Sequence, residues 1–361
     1  MYLSKLSLLQ FKNHAVQDFE LHPKLNVITG LNGSGKTNIL DAIYYLSFCK
    51  SYFNTTDAQN IKRDADFFVL QGTYHINDGV ENVVCSLKRN QKKTIKRNQK
   101  EYERLTDHIG LFPLVMVSPN DIVLLYDGSE ERRKFMDSVI AQYDKTYLHN
   151  LLQYNKALQQ RNALLKFFIE NNRFDAISLE VWTETLIKCG TYLHDTRKKF
   201  MLLFEGIVLA TYNEIANVND NVTLHYETQL STYTYTQGMA NSLQRDRSAG
   251  LTTFGVHKDD LVFKIDDFPL KKMASQGQQK TFLLALRMAQ YALLSKHCGR
   301  TPLLLLDDIY DKLDTVRVAN LLQHVISPNF GQVFITHTNN SMLIATLQEL
   351  QVQYNHIVLS E

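Results

Sequence analysis

Residues Gly30-Leu31-Asn32-Gly33-Ser34-Gly35-Lys36-Thr37 satisfy the pattern G-x-x-x-x-G-K-[ST]. They lie between the apolar run Leu25 to Thr29 and a stretch of helical periodicity from Gly35 to Leu46. Strand, glycine loop, helix is the opening unit of an α/β domain. The glycines let the chain curl so that successive N–H groups face inward, and the helix behind them adds about half a positive charge. Such a loop cradles phosphates. Lys36 would neutralise the β and γ phosphates of ATP, and the Thr37 hydroxyl would complete the shell of a Mg2+ ion. A tight turn without a ligand is the alternative, and the strand-loop-helix context counts against it.

Three later segments bear on the same chemistry. Leu303-Leu304-Leu305-Leu306-Asp307-Asp308 reads as a buried strand ending in two carboxylates. Asp307 is placed to hold magnesium, and Asp308 to orient and deprotonate an attacking water. Two acids at a strand end could equally begin a solvated turn. Ala274-Ser275-Gln276-Gly277-Gln278-Gln279 opens a periodic helix with a serine in the N-cap position and a glycine close behind. One ATP needs one cradle from its own chain, so this second helix start either meets a γ-phosphate held by another subunit or is an ordinary capped helix. Val333-Phe334-Ile335-Thr336-His337 ends a strand with a histidine, a residue type more often structural than catalytic, here expected near the γ-phosphate.

Between these segments the pattern changes. Alternating stretches at Tyr2 to Leu9, Phe67 to Tyr74 and Val80 to Leu87 read as strands, and Leu114 to Val117 as a short buried one. Glu130 to Asp144, Lys145 to Ile169 and Phe174 to Val208 carry helical spacing with almost no Gly or Pro. Strand patterns return at Asn221 to Tyr226 and Leu261 to Ile265, followed by a helix from Gln276 to about Lys296 and a last strand from Gln332 to Thr336. The expected organisation is an α/β ATPase lobe over residues 1–117, a helical insertion over 118–250, and a C-terminal ATPase part over 251–361.

A net charge of +2 neither demands nor excludes a polyanionic partner. The densest basic stretch, Lys88 to Lys100, contains the string KRNQK twice. Lys88, Arg89, Lys92, Lys93, Lys96 and Arg97 could line a hairpin edge that contacts DNA phosphates, or simply keep a solvated edge from aggregating. Arg132, Arg133 and Lys134 are second candidates, or partners of Glu130 and Glu131. The four cysteines form no paired spacing. No apolar run approaches the roughly 20 residues of a membrane span, and no signal peptide opens the chain, so a cytoplasmic protein without membrane contact is expected.

Taken together these residues resemble the ABC-type ATPase heads of SMC and Rad50 proteins, and most closely the RecF family. The resemblance covers nearly the whole chain. It runs through Phe11-Lys12-Asn13-His14, the phosphate loop, Val117-Ser118-Pro119-Asn120-Asp121, Arg132-Arg133-Lys134-Phe135-Met136-Asp137, Gly255-Val256-His257-Lys258-Asp259-Asp260, Ser275-Gln276-Gly277-Gln278, Asp307-Asp308 and Thr336-His337. Val256, Lys258 and Asn120 depart from the family's usual proline, arginine and glutamate, which touches the lobe junction rather than the phosphate chemistry.

The resemblance implies an ABC-type P-loop head with a mostly helical second lobe, and ATP sandwiched in a homodimer. One subunit would supply Lys36, Thr37, Asp307, Asp308 and His337, and the other Ser275, Gln276, Gly277 and Gln278. Lys12 and Asn13 would lie beside the nucleotide or serve only as surface strand residues. It further implies binding to single-stranded, duplex and gapped DNA, cooperation with RecR and RecO, loading of RecA at gaps in DNA repair and the SOS response, and slow hydrolysis that resets the clamp. An SMC-like chromosome-organising ATPase is the alternative, against which the short helical lobe speaks.

Overall fold

A computed structural model describes residues 1–216, 220–308, 322–327, 329–338 and 340–359. The chain divides into two compact units, one of Met1–Asp121, Thr211–Val218 and Gln276–Glu361, the other of Ile122–Ala210 and Asn219–Ser275.

The first unit holds two sheets. One is antiparallel, in the order β2-β1-β4-β5-β6-β7, formed by β1 (Tyr2–Phe11), β2 (His14–Glu20), β4 (Phe67–Ile76), β5 (Gly79–Lys88), β6 (Thr94–Arg97) and β7 (Lys100–Glu101). The other is wholly parallel, in the order β14-β3-β13-β12-β8, from β3 (Leu25–Gly30), β8 (Leu114–Val117), β12 (Leu303–Leu306), β13 (Val333–His337) and β14 (Asn355–Leu359). The helix α1 (Lys36–Phe48) buries almost every residue from Ile39 onward, as a helix covered on both faces must. Its Ile39, Ile43 and Leu46 share one apolar cluster with Leu6, Phe68 and Leu70 of the antiparallel sheet and Ile28, Leu305 and Phe334 of the parallel one. The four buried leucines of β12 carry no alternation because a parallel strand is covered on both sides.

The parallel register places the chemistry. Leu306 pairs with Ile335, Ile335 with Val27 and His337 with Thr29, so β3, β12 and β13 end at one edge of the sheet. Asp307, His337 and the loop after Gly30 therefore share the carboxyl edge, where open α/β sheets gather their ligands. The edge strand β14 pairs with β3 from Asn26 to Gly30 and was not foreseen from the sequence, whose last expected strand was β13.

The second unit is built on α2 (Val123–Tyr126), α3 (Ser129–Tyr143), α4 (Lys145–Glu170), most of α5 (Ala176–Ala216), α6 (Tyr235–Ala249) and α7 (Leu270–Met273), with a small sheet of β9 (Val222–Glu227), β10 (Asp260–Ile265) and β11 (Phe268–Pro269). The six-residue antiparallel ladder between β9 and β10 ties residues 260–265 into this unit, so its boundary falls at Ser275, whereas the sequence reading drew it at 250. Helix α5 runs past Val208 to Ala216, beyond the expected end. Helix α6 falls in a stretch where no element is expected, and Thr234 and Gln237 form a capping box at its start. Two fully buried arginines organise the interior. Arg161 bonds Asp246 at 2.8 Å and Thr252, and Arg197 bonds Asp137 at 2.8 Å, Asp259 at 3.0 Å and the Val256 carbonyl. Arg197 thus pins the segment around Val256 and Asp259.

Candidate nucleotide site

The phosphate loop is braced from the first hairpin. The Asn13 amide donates to the Ser34 carbonyl at 3.2 Å and accepts from Asn38 at 2.7 Å, while the His14 ring lies 3.1 Å from the Gly35 carbonyl. Gly35 caps α1 with φ +102°, and a Cβ there would lie 2.6 Å from both the Asn13 and His14 side chains, so glycine is required twice over. Burial lowers the His14 pKa, opposed by its bond to Gly35. The Lys36 ammonium donates to the carbonyls of Gly30 and Leu31, at 2.8 and 2.9 Å, within the loop it serves.

Across the sheet edge, Thr37 Oγ1 donates to Asp307 at 3.0 Å. Asp307 also accepts from Thr336 Oγ1 at 2.8 Å, and the same hydroxyl accepts the backbone N–H of Asp308 at 3.0 Å. Burial pushes the Asp307 carboxyl up to about 6. The Thr336 bond pulls it down, the neighbouring Asp308 charge adds to the rise, and Thr37 and Lys36 oppose it. This is a carboxylate whose charge the site does not fully compensate, beside a hydroxyl: two hard oxygen donors suited to a small divalent cation. Asp308 takes a left-handed φ of 44°. His337 is buried at the carboxyl end of β13.

Lys12 sits at φ 52° in the two-residue turn between β1 and β2, and its ammonium pairs with the fully buried Asp41 of α1 at 2.6 Å. Beside it opens a cleft of about 720 Å³ whose cations are Lys12, Lys62, Arg63 and Arg89. His14, Asn38, Asp41 and Thr336 were not assigned to the site from the sequence. Only contacts made in the fold mark them: His14 with Gly35, Asn38 with Asn13, Asp41 with Lys12 and Thr336 with Asp307.

Ser275 and Gln276 are exposed where α8 (Gln276–His297) begins, Gly277 and Gln278 lie in its first turn, and the Gly277 carbonyl accepts from Thr281 at 2.9 Å.

The basic stretch forms the β5-β6-β7 meander. Both KRNQK copies are hairpin turns: Asn90 has φ 60°, and Asn98 and Gln99 have φ 49° and 67° between the paired Arg97 and Lys100. Asparagine tolerates that left-handed backbone, which accounts for its place in both copies. Lys88, Arg89, Lys92 and Lys96 are exposed. Lys93 instead reaches Asp57 at 2.7 Å, and Arg97 is held by Glu81 in a two-pronged ion pair. Of the second candidates, Arg132 bonds Asp260 at 2.7 Å, Arg133 donates to the Asp259 carbonyl, and Lys134 pairs with Glu130 and Glu131.

Comparison with known proteins bears on this arrangement. The family model of the RecF/RecN/SMC N-terminal domain matches residues 2–358. The DNA replication and repair protein RecF of Flavobacterium johnsoniae is 46% identical over 98% of this chain and 99% of its own, and that of Phocaeicola vulgatus 48% identical over 98% and 95%. The chain belongs to the RecF family. A solved structure of the recombination mediator RecF with ATP, from the RecFOR pathway, superposes with TM-score 0.86 at 30% identity, covering 94% of this chain and 92% of that one. The Smc head domain of Pyrococcus furiosus shares the fold at TM-score 0.55 and 16% identity over 96% and 91% of the two chains. The ABC-type head expected from the sequence is therefore the fold of this RecF-family chain, and the chromosome-organising alternative is a distant relation of fold. Among the described residues no helix is long and apolar enough to cross a membrane.

Proposed function

We propose that the chain is an ATP-gated DNA clamp whose two copies close around nucleotide. The observation that carries this reading is the meeting of Thr37 and Asp307 at the mouth of a braced phosphate loop. Lys36 and the loop N–H groups bind the phosphates, and Thr37 and Asp307 are the ligands we assign to magnesium, which supplies charge neutralisation across the phosphates. The cleft beside Lys12 and Asn13 takes the nucleoside end. Asp308 orients and deprotonates the attacking water, and His337 stands beside the γ-phosphate. Ser275, Gln276, Gly277 and Gln278 of the second copy close on that γ-phosphate, so hydrolysis, which is slow, opens the dimer.

DNA is held through the exposed cations Lys88, Arg89, Lys92 and Lys96. Relatives named for replication and repair, and a mediator structure from the RecFOR pathway, support a role at gaps with RecR and RecO, where RecA is loaded in repair and the SOS response. The protein acts in the cytoplasm. A binding titration with fluorescent gapped, duplex and single-stranded DNA, with and without ATP and magnesium, tests the reading. ATP is expected to tighten binding to gapped DNA by about tenfold, the scale of a typical coupling between sites. Equal affinity in both conditions, or an undiminished ATP effect in Lys36→Ala, contradicts it.

A further inference from the structure

Where α6 passes the turn joining α4 and α5, two arginines are held differently from those that pair with aspartates in the same unit. Arg132, Arg161 and Arg197 each have an aspartate partner. Arg173 and Arg247 flank a cleft of about 600 Å³ that no carboxylate lines. Arg247 lays its guanidinium over the Phe174 ring, 3.9 Å from the centroid, a cation–π contact. The floor is apolar, formed by Leu165, Phe168 and Phe174 with Ile169 at the edge, and Phe168 and Phe174 meet edge to face at 5.5 Å. The turn is set in place by the Arg173 N–H bonding the Phe168 carbonyl at 3.1 Å and by Asn172 in the left-handed region at φ 48°. Just beyond it, Ile177 is 81% exposed and Val181, one turn further along the same helix face, 57% exposed.

A preformed apolar floor with two cations at its rim matches the usual build of a ligand cleft in size and in polarity. The charge decides the occupant. Among the described residues neither guanidinium has a carboxylate partner, so the pair calls for carboxylates, and the floor calls for an aromatic or branched aliphatic side chain beside them. A nucleic-acid backbone suits the site less well, since the exposed Ile177 and Val181 offer it nothing and the exposed Glu170 and Glu180 oppose a continuous polyanion. We propose that this cleft docks a short acidic segment of a partner protein. Its apolar side chain rests on Phe168 and Phe174, and its flanking carboxylates pair with Arg173 and Arg247.

Selection of a random twelve-residue phage-displayed peptide library on the full chain tests this. Enriched peptides should place Phe, Trp, Leu or Ile within two positions of Asp or Glu. A fluorescein-labelled copy of the most enriched one should bind the Arg173→Glu/Arg247→Glu double variant about tenfold or more weakly, as expected for loss of two charge-assisted pairs. It should also weaken with Phe174→Ala, and retain most of its affinity in Arg173→Lys/Arg247→Lys. Matching circular-dichroism melts keep folding out of the comparison. The proposal is overturned if nothing enriches, if basic peptides enrich, or if the double reversal leaves peptide affinity unchanged. It is overturned equally if the reversal weakens only binding of a labelled oligonucleotide, or only self-association of the chain in sedimentation, which would give the cleft to nucleic acid or to a second copy.

Discussion

Lys12 and Asp41 form an ion pair of 2.6 Å that fastens the first hairpin to the helix behind the phosphate loop. The Asp41 carboxylate is fully buried and also accepts from Ser51 Oγ at 2.6 Å and the Tyr52 N–H at 2.7 Å, so its charge is satisfied from three sides. The turn that carries Lys12 also carries Asn13, whose amide holds the loop carbonyls.

Removing one side of such a buried pair is costly because the other charge stays behind. Asp41→Ala is expected to lose about 3–5 kcal/mol of stability. ATP affinity should fall with it, since Asn13 loses its footing. Urea denaturation and an equilibrium titration with a fluorescent ATP analogue check both. A change below about 1 kcal/mol with intact nucleotide binding contradicts the assigned role.

His257 makes the helical unit sensitive to acid. Its ring lies 2.7 Å from the Tyr154 hydroxyl and 3.0 Å from the Thr252 carbonyl, so Nε2 donates to the carbonyl and Nδ1 accepts from the hydroxyl, the neutral tautomer. Burial, only partly offset by the Thr252 bond, lowers its pKa to about 4 from the ordinary 6.5. The unfolded chain therefore binds the extra proton first. Stability from this group is complete above pH 6.5 and is lost as pH falls toward 4. Between pH 7.5 and 5 the loss is roughly 2 kcal/mol. Urea unfolding at the two pH values should show that difference shrinking in His257→Gln.

The hairpin cations divide into two groups with separable effects. Alanine at Lys88, Arg89, Lys92 and Lys96 should weaken duplex binding regardless of sequence and flatten its salt dependence, by about 0.9 in the log–log slope for every phosphate left without its cation. Lys93→Ala and Arg97→Ala should lower thermal stability instead, because their charges are spent on Asp57 and Glu81. Melting curves together with DNA titrations at several salt concentrations distinguish the groups.

The contrast within that hairpin marks how far the sequence could be read. The phosphate loop was legible because its spacing is fixed by backbone geometry, and β12 because a run of leucines ending in two aspartates has few other uses. The long helices of the second unit are legible from their period, apart from α6, whose local mark is the capping box of Thr234 and Gln237. What escaped depends on long-range register. Lys12 reads as a strand-end cation, and only the packing of α1 beneath the hairpin turns it toward Asp41. Thr336 reads as an ordinary strand residue until β13 lies beside β12. Residues 260–265 alternate like any strand, and nothing local says that β9 is their partner. KRNQK read as a charge pattern, yet its asparagines are explained by turn conformation.

The central claim is that this site is completed by a second copy of the chain. Sedimentation velocity with ATP and magnesium measures it most directly. The wild type should move from its nucleotide-free state to a dimer, while Ser275→Arg, altered far along the chain from the phosphate loop, should bind ATP but remain monomeric. A wild type that stays monomeric with ATP and magnesium, or a Ser275→Arg variant that dimerises as readily, would contradict the account.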